Sequence, residues 1–501
     1  MLEIELEGMA PGVFVHTCVL VMIILTMSPS YQGLALDSVS SSSRNTSAEN
    51  LLKQCYNSQF ESSGSRFSEY MDGKPTRSLY LHRVWWSTRR AEFPISFFTQ
   101  ADLQRLRALQ EQCKSLPGGT VVAAIWLPLG STIGPRGNDA AADAEAAKLG
   151  PGLSARHIPT VKNATAILDN VFAQNEAASN TSCVLRLLLL YEIVFDEALG
   201  LLMPINTMRN AAMMATDSQL VAMVDVDLSA NKDLAASVMR SPERVAEMIL
   251  LAEKQHMAWI MPAFDVSPSV PPPMRNYVAD EALAVSREEK SRLRDMWTKY
   301  RLIFPFAMER GYTRGHNATK YEEWFVSQSH YPVYYEEGYE PWFMASRFLV
   351  PFFDARFRGY YMNKLVAARN TLLLANMRVL PDVWIVHRPH ELQVSNYGWL
   401  EAQKTLQKKH HTEKMVLDQA GGNEQFLREL TPALGHPLLS VCEPILYNGT
   451  SKSARDAFFE RNIYFYKSAV SQMETRNYTP VADVAADNCR KVLPWWSRRA
   501  S

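Results

Sequence analysis

Several features that would place a chain at once are missing from this one. It has no Cys-x-x-Cys pair, which removes the usual thiolate zinc site and the dithiol redox motif. It has no net charge, since Lys plus Arg equals Asp plus Glu at 52 each. No global field therefore steers it toward nucleic acid or an anionic membrane surface. It shows no internal repeat, so a solenoid or propeller is excluded. No basic stretch precedes its first apolar run; Glu3, Glu5 and Glu7 stand there instead, unlike the flank of an ordinary signal peptide or cytoplasm-facing anchor.

What is present is globular material. Hydrophobic residues make up 47% and charged residues 21% of 501 positions, enough for one large domain plus a stem. Residues 9–27 are mostly apolar, broken at Pro11, Gly12, His16 and Thr17 and by Thr26 near the end, and long enough to span a bilayer. They read as a signal anchor or, given the small residues at 28–35, as a cleaved signal peptide. Either makes the remainder luminal, and six acceptor sequons agree, at Asn45, Asn163, Asn180, Asn317, Asn448 and Asn477. Beyond Cys18 in the apolar run, five cysteines remain: Cys55, Cys113, Cys183, Cys442 and Cys489. Five is odd, so at least one is free or pairs between chains, and their connectivity is not readable.

The Ser-rich residues 38–47 lack apolar periodicity and read as part of a flexible stem. From there the pattern predicts strands over 77–86 and 95–98, a helix over 100–113, and a buried strand over 121–127. Residues 130–155, rich in Gly, Ala and Asp, read as a loop or insertion. A strand follows over 185–194, a helix over 206–215, and a strand over 220–226 that ends in acidic residues. Strand, helix, strand in this order implies a parallel sheet with right-handed crossovers. The Pro-rich run 268–273 and a charged helix over 281–300 form a second insertion. Residues 320–390 are dense in aromatics, and a Lys/His/Gln helix then leads into a tail from His410. The expected domains are a short tail (1–8), the apolar segment (9–27), a stem (28–78), an α/β domain (79–400) and a C-terminal extension (401–501).

Met223-Val224-Asp225-Val226-Asp227 is the sharpest local signal. At the fraying end of a strand both carboxylates can reach one hard cation, with phosphate oxygens filling the remaining positions. An isolated Asp-x-Asp is also what a solvated turn presents. The apolar strand before it and a second polar cluster shift the balance. That cluster is His387-Arg388-Pro389-His390, after the buried run Val383-Trp384-Ile385-Val386. A neutral imidazole can complete an octahedral shell with the carboxylates, and Arg388 can neutralise phosphate.

An ordered set of segments carries a family resemblance. It begins with Ile95-Ser96-Phe97-Phe98-Thr99 and the Leu-rich helix, then Pro204-Ile205-Asn206-Thr207-Met208-Arg209-Asn210-Ala211-Ala212 and the Asp-x-Asp. It continues through Met261-Pro262-Ala263-Phe264, Gly315-His316 with Trp324, and Tyr339-Glu340-Pro341. It ends with Phe357-Arg358-Gly359-Tyr360-Tyr361-Met362-Asn363-Lys364 and Ile385-Val386-His387-Arg388-Pro389-His390. The set resembles the LARGE-type and poly-N-acetyllactosamine-associated glucuronyltransferases of glycosyltransferase family 49 over residues 95–390.

The resemblance implies a GT-A type fold with a Rossmann-like mixed sheet, a UDP-sugar donor, Mn²⁺ (or Mg²⁺) and inversion at the anomeric carbon. It makes Asp225, Asp227 and His387 the metal ligands. It assigns Arg209, Asn210, Asp225, Asn363 and Lys364 to the donor site, and the loops around Glu340 and Gly359 to donor sugar and acceptor. Glu340 is the first choice of general base, with Asp354 behind it. Tyr360, Tyr361, Trp342 and Trp324 are candidates for stacking on sugar rings. Leu228-Ser229-Ala230 departs from the family's apolar-Pro continuation, and 130–155 and 268–300 are foreign to it; both bear on donor and acceptor more than on fold.

The expected protein is an inverting transferase of glucuronic acid, xylose or a hexose to a glycan or glycoprotein, with no nucleic-acid partner. It would be a single-pass type II protein of the Golgi membrane, or a secreted one. A different class is a non-catalytic luminal glycan-binding protein on a degenerate transferase scaffold, which has no reason to keep Asp225, Asp227 and His387 together. A glycosidase would need acid and base on opposite sides of a sugar rather than a tandem pair on one strand.

Overall fold

The structure, a computed structural model, describes residues 41–130, 140–195, 197–309, 311–359, 361–390, 444–447 and 450–497. The expected anchor at 9–27, residue Tyr360 and the expected helix before His410 lie outside the described residues. Among the described residues no helix is long and apolar enough to cross a membrane. The chain divides into two compact units, Met1–Ala48 and Glu49–Ser501, and the sheets, contacts and site described below lie in the second.

Its centre is a nine-stranded sheet of β1 (Leu79–Trp86), β2 (Ile95–Ala101), β3 (Thr120–Gly130), β4 (Val184–Val194), β5 (Leu220–Met223), β7 (Met257–Met261), β10 (Tyr331–Val333), β11 (Trp342–Ser346) and β12 (Asn376–Val379). A second, four-stranded sheet holds β6 (Leu228–Ala230), β8 (Ala263–Val266), β9 (Ile303–Pro305) and β13 (Ile385–His387). The large sheet runs β1-β4-β3-β2-β5-β11-β7-β12-β10. Strands β4, β3, β2 and β5 are mutually parallel, and β11 lies antiparallel between β5 and β7. All eleven residues of β4 and nearly all of β3 are buried, the near-continuous apolar reading of a parallel sheet covered on both faces. This is the GT-A type mixed sheet expected from the resemblance. The chain proceeds outward from β2 to β3 and β4, then returns to lay β5 on the other side of β2. The strand order therefore reverses between β2 and β5, which opens a crevice at their carboxyl ends.

The helices that matter below are α1 (Ser41–Asn57), α2 (Leu106–Lys114), α3 (Ile205–Met214), α4 (Asn363–Leu372), α5 (Ala454–Glu474) and α6 (Val484–Val492). Three expectations change. The stretch 130–155 contains a helix, Ala140–Leu149, where the run of alanines supplies the highest helix propensity and outweighs the flanking Gly and Asp. The charged helix over 281–300 is two helices, Pro272–Ala284 and Lys290–Thr298, because Ser286 and Glu289 form a capping box that restarts the chain between them. The helix placed over 100–113 begins later, since Gln100 and Ala101 still pair with β3.

Residues on both sides of the expected 79–400 domain belong to the same unit. A disulfide joins Cys55 in α1 to Cys489 in α6, and a second joins Cys113 at the end of α2 to Cys183 just before β4. Cys442 and Cys18 lie outside the described residues. The indoles of Trp495 and Trp496 both donate to the carbonyl of Met214, the last residue of α3. On α5, Asn462 accepts from the Tyr70 hydroxyl at 3.0 Å and donates to the carbonyls of Arg358 and Tyr361.

Candidate functional site

Strand β5 stops at Met223, and the Asp-x-Asp occupies the turn that leads into β6. That turn is held from several sides. The side-chain amide of Gln112, fully buried on α2, donates to the carbonyls of Asp225 (3.0 Å) and Leu228 (3.1 Å). The Val224 amide donates to Phe98 of β2, and the Arg388 amide donates to the Asp227 carbonyl at 2.7 Å. Leu228-Ser229-Ala230, the departure noted in the sequence, forms β6 and pairs with β13 so that Leu228 lies opposite His387. On its other side β13 runs parallel to β8, with His387 in register with Asp265. Two strand registers thus bring Asp227 and Asp265 to one imidazole.

His387 Nδ1 lies 2.9 Å from Asp265 Oδ1, and its Nε2 lies 3.6 Å from Asp227 Oδ2. His390 Nε2 reaches the same Asp227 oxygen at 2.9 Å. One ligand atom from each of Asp227, His387 and His390 lies within 4.8 Å of the other two. Burial acts to raise the Asp227 pKa, but the two imidazoles outweigh it and hold the carboxyl well below its usual range. Burial likewise opposes charge on His387, yet Asp227 and Asp265 overcome it and push its pKa up to about 9. The donor set suits a divalent transition ion: two imidazoles, one ionised carboxylate, and a hydrogen bond at His387 Nδ1 that leaves Nε2 to face the ion.

Asp225 does not join that group. Its Oδ1 accepts from Arg209 at 3.0 Å and its Oδ2 lies 3.9 Å from Lys364. Arg209 on α3 is itself fixed, donating to Gln100 (3.2 Å), Asn206 (3.1 Å) and Asn363 (2.6 Å). The sequence reading put Asp225 and Asp227 on one ion; in the structure Asp227 faces the histidines and Asp225 the arginine.

Glu340, at the start of the turn into β11, lies beside this pair with Lys364 Nζ 4.0 Å away. Burial raises its pKa, Asp225 adds to the rise, and Lys364 and Arg209 only partly offset it. Lys364 sits 3.6 Å above the Trp342 ring, a cation–π contact.

Other expected residues turn out to be committed elsewhere. Asp354 is buried and takes four hydrogen bonds, from the amide and guanidinium of Arg356 and the hydroxyl of Tyr478, which leaves it no free edge for a substrate. Both ends of the Asn210 amide bond the backbone of Phe353. Arg388 turns away from the crevice to Asp280 (2.8 Å), Ser229 (2.8 Å) and Glu111. Trp324 and Trp342 are buried in the core rather than offered to a sugar, whereas Tyr361 is exposed. Sequence reasoning did not place His390 beside Asp227, Asp265 beside His387, or Gln112 beneath the turn. His390 stood in the quoted motif, but nothing local marks Asp265 or Gln112.

The family described as glycosyl-transferase for dystroglycan matches residues 157–419. Human xylosyl- and glucuronyltransferase LARGE2 is 28% identical over 214 residues, 41% of this chain and 26% of that protein. The glycosyltransferase-like protein LARGE of Caenorhabditis elegans is 26% identical over 215 residues, 41% of this chain and 31% of that protein. The matched part thus spans a quarter to a third of the length of these relatives. Among solved structures, Staphylococcus aureus TarS 1–349 in complex with UDP-GlcNAc covers 77% of this chain and 92% of its own, at 12% identity and a TM-score of 0.24.

Proposed function

From the premise that this chain belongs to glycosyltransferase family 49, we propose that it is a metal-dependent, inverting transferase that moves glucuronic acid, xylose or a hexose from a UDP-sugar to a glycan or glycoprotein hydroxyl. The observation that carries this is the meeting of Asp227, His387 and His390 at the carboxyl end of β5, with the partly buried carboxylate of Glu340 beyond Asp225. Asp227, His387 and His390 would hold the ion. When bound, Mn²⁺ or Mg²⁺ neutralises charge on the diphosphate leaving group.

The chain's own residues supply the rest. Asp265 keeps the His387 proton on Nδ1, and the β6–β13 pairing fixes that imidazole against Asp227. Arg209 holds Asp225 and lies with Lys364 at the crevice, two cations that favour an anionic donor. Glu340 is a carboxylate made more basic by burial, suited to take the acceptor proton. As the acceptor oxygen bonds the anomeric carbon, the bond to the diphosphate oxygen breaks, UDP leaves with the electron pair, and the hydroxyl proton passes to Glu340.

The secretory setting rests on the apolar segment, the two disulfides and the sequons. Asn163, Asn180, Asn317 and Asn477, the four whose burial is described, are all exposed. A single-pass type II protein of the Golgi membrane is the placement we favour. The test is a panel of UDP-sugars incubated with purified protein and Mn²⁺, with and without chelator. Chelator-sensitive turnover of one donor is the expected result. Sugar binding with no turnover of any donor would leave the glycan-binding alternative standing in its place.

A further inference from the structure

Beyond β2 the chain turns through Asp102, whose carboxylate accepts from the Gln104 amide at 2.9 Å and starts the short turn Leu103–Arg105. This delivers Arg105 to the switch point between β2 and β5, across from the Asp-x-Asp turn. The residue is only 5% exposed. A guanidinium carries five N–H donors in a planar fork, yet among the described residues none of Arg105's makes a hydrogen bond and no carboxylate lies within ion-pair distance. Its charge is felt by Asp227 and Asp102, the two anions in whose field it sits. The other deeply buried arginines are served otherwise: Arg209 bonds four side chains, Arg358 is matched by Glu192, and Arg186 by Asp217 and the Ala215 carbonyl.

A guanidinium so little exposed, with none of its donors engaged by the fold, keeps them for what enters the crevice, and a planar fork suits an oxyanion that arrives from outside. We propose that Arg105 binds the diphosphate of the nucleotide-sugar donor from the β2 side of the crevice, opposite the Asp227, His387 and His390 cluster. This rests on the reading of the site as one for a nucleoside diphosphate sugar. The planar fork fits phosphate oxygens in pairs, and its place beside Asp227 sets it where a phosphate shared with the metal would lie. A uronosyl carboxylate offers similar chemistry, and the measurements separate the two.

The experiment uses the full chain and its Arg105→Gln and Arg105→Lys variants, with Mn²⁺ alone, UDP with Mn²⁺, and UDP-glucuronate with Mn²⁺ as probes. Arg105→Gln should weaken UDP binding about 10- to 100-fold, the range for losing charge-assisted hydrogen bonds. Arg105→Lys, which keeps the charge but not the fork, should fall between. Binding of Mn²⁺ alone should be unchanged or tighter, because a cation has been removed from beside Asp227. The melting temperature should hold or rise, since an unpaired buried charge is gone. Mn²⁺ and UDP affinities falling together, or a lower melting temperature, would mean that Arg105 serves the fold and would overturn the proposal. So would a loss confined to UDP-glucuronate, which would assign the fork to the sugar carboxylate. If the unsubstituted chain binds no UDP, the function proposed above fails and this inference with it; UDP binding indifferent to Arg105 overturns this inference alone.

Discussion

Arg358 and Arg105 are buried to almost the same extent, at 2% and 5% exposure, but their surroundings differ. Arg358 meets Glu192 of β4 in a bidentate pair at 2.8 and 2.9 Å, donates to the Leu202 carbonyl and to Thr76, and Glu192 also accepts from Trp126. Removing one member of such a pair costs about 3–5 kcal/mol because the other is left buried and charged. Arg105 has no such partner, and the carboxylates repeat the contrast. Asp354 takes four hydrogen bonds, while Glu340 takes none among the described residues and has only Lys364 at 4.0 Å. In the region of Arg358 and Asp354 the fold consumes its own charges. At the crevice Asp225 is matched by Arg209 and Asp227 by His390, but Arg105 and Glu340 are left without such partners, and that difference sets these two apart where residue type and burial do not.

The strongest way to break the comparison is at the ion. Asp227→Ala should abolish transfer and Mn²⁺-dependent UDP binding while leaving the fold intact, because the carboxylate serves the ion rather than the core. Retained activity in that variant would remove the metal site from the mechanism.

A sharper cut sets the two carboxylates side by side. Glu340→Gln should lower turnover by about two to four orders of magnitude with UDP affinity unmoved, the usual share of general-base catalysis. Asp354→Asn should instead lower the denaturation midpoint, since Arg356 loses its charge partner, and leave turnover of the folded protein nearly intact. The reverse pattern, turnover lost in Asp354→Asn alone, would exchange the roles.

Asp483, on the consumed side of the comparison, gives the pH test. It is buried, caps α6 by accepting from the Ala485 amide, and is joined by the Tyr56 hydroxyl at 3.2 Å. Burial pushes its pKa up to about 7. The folded state then holds a proton that the unfolded chain releases near pH 4. Its contribution is fully present below that pH and is lost as pH rises through about 7. Stability should fall by on the order of 2–4 kcal/mol between pH 5 and 8. Asp483→Asn, which can still cap the helix, should flatten that fall; urea midpoints at the two pH values decide.

The smallest expected effect concerns the histidines. His387→Ala, His390→Ala and Asp265→Asn should each weaken Mn²⁺ binding by roughly 10- to 100-fold, as losses of ligands and of their orienting partners generally do. If Asp265→Asn leaves Mn²⁺ affinity untouched, the second carboxylate does not orient His387.

The strands, the acidic turn after β5 and the imidazole that ends β13 were legible because each is a local pattern: an apolar run of the right length followed by polar residues. What escaped depends on distant parts of the chain. Nothing near Asp354 announces that Tyr478 will claim it from 124 positions away. Nothing near Asp225 shows that Arg209 will hold it while its neighbour Asp227 turns to two histidines. Residue type grouped both aspartates, and contacts from distant elements separate them: Arg209 of α3 for Asp225, and the two histidines for Asp227. Arg105 carries no signal at all in sequence, since its character lies in the partners it lacks.

The disulfide between α1 and α6 also sets a timetable for synthesis. Its cysteines are 434 positions apart, against 70 for Cys113 and Cys183. At roughly 5–20 residues per second, Cys55 waits about 20 to 90 seconds for its partner to be made. In an oxidising compartment both members of the short pair emerge during that wait. The native pattern is reached most directly when Cys113 and Cys183 close first around β3 and withdraw from competition. A chain stalled before Cys489 then carries an unmatched thiol near its beginning, a chemical mark by which an unfinished molecule differs from a finished one.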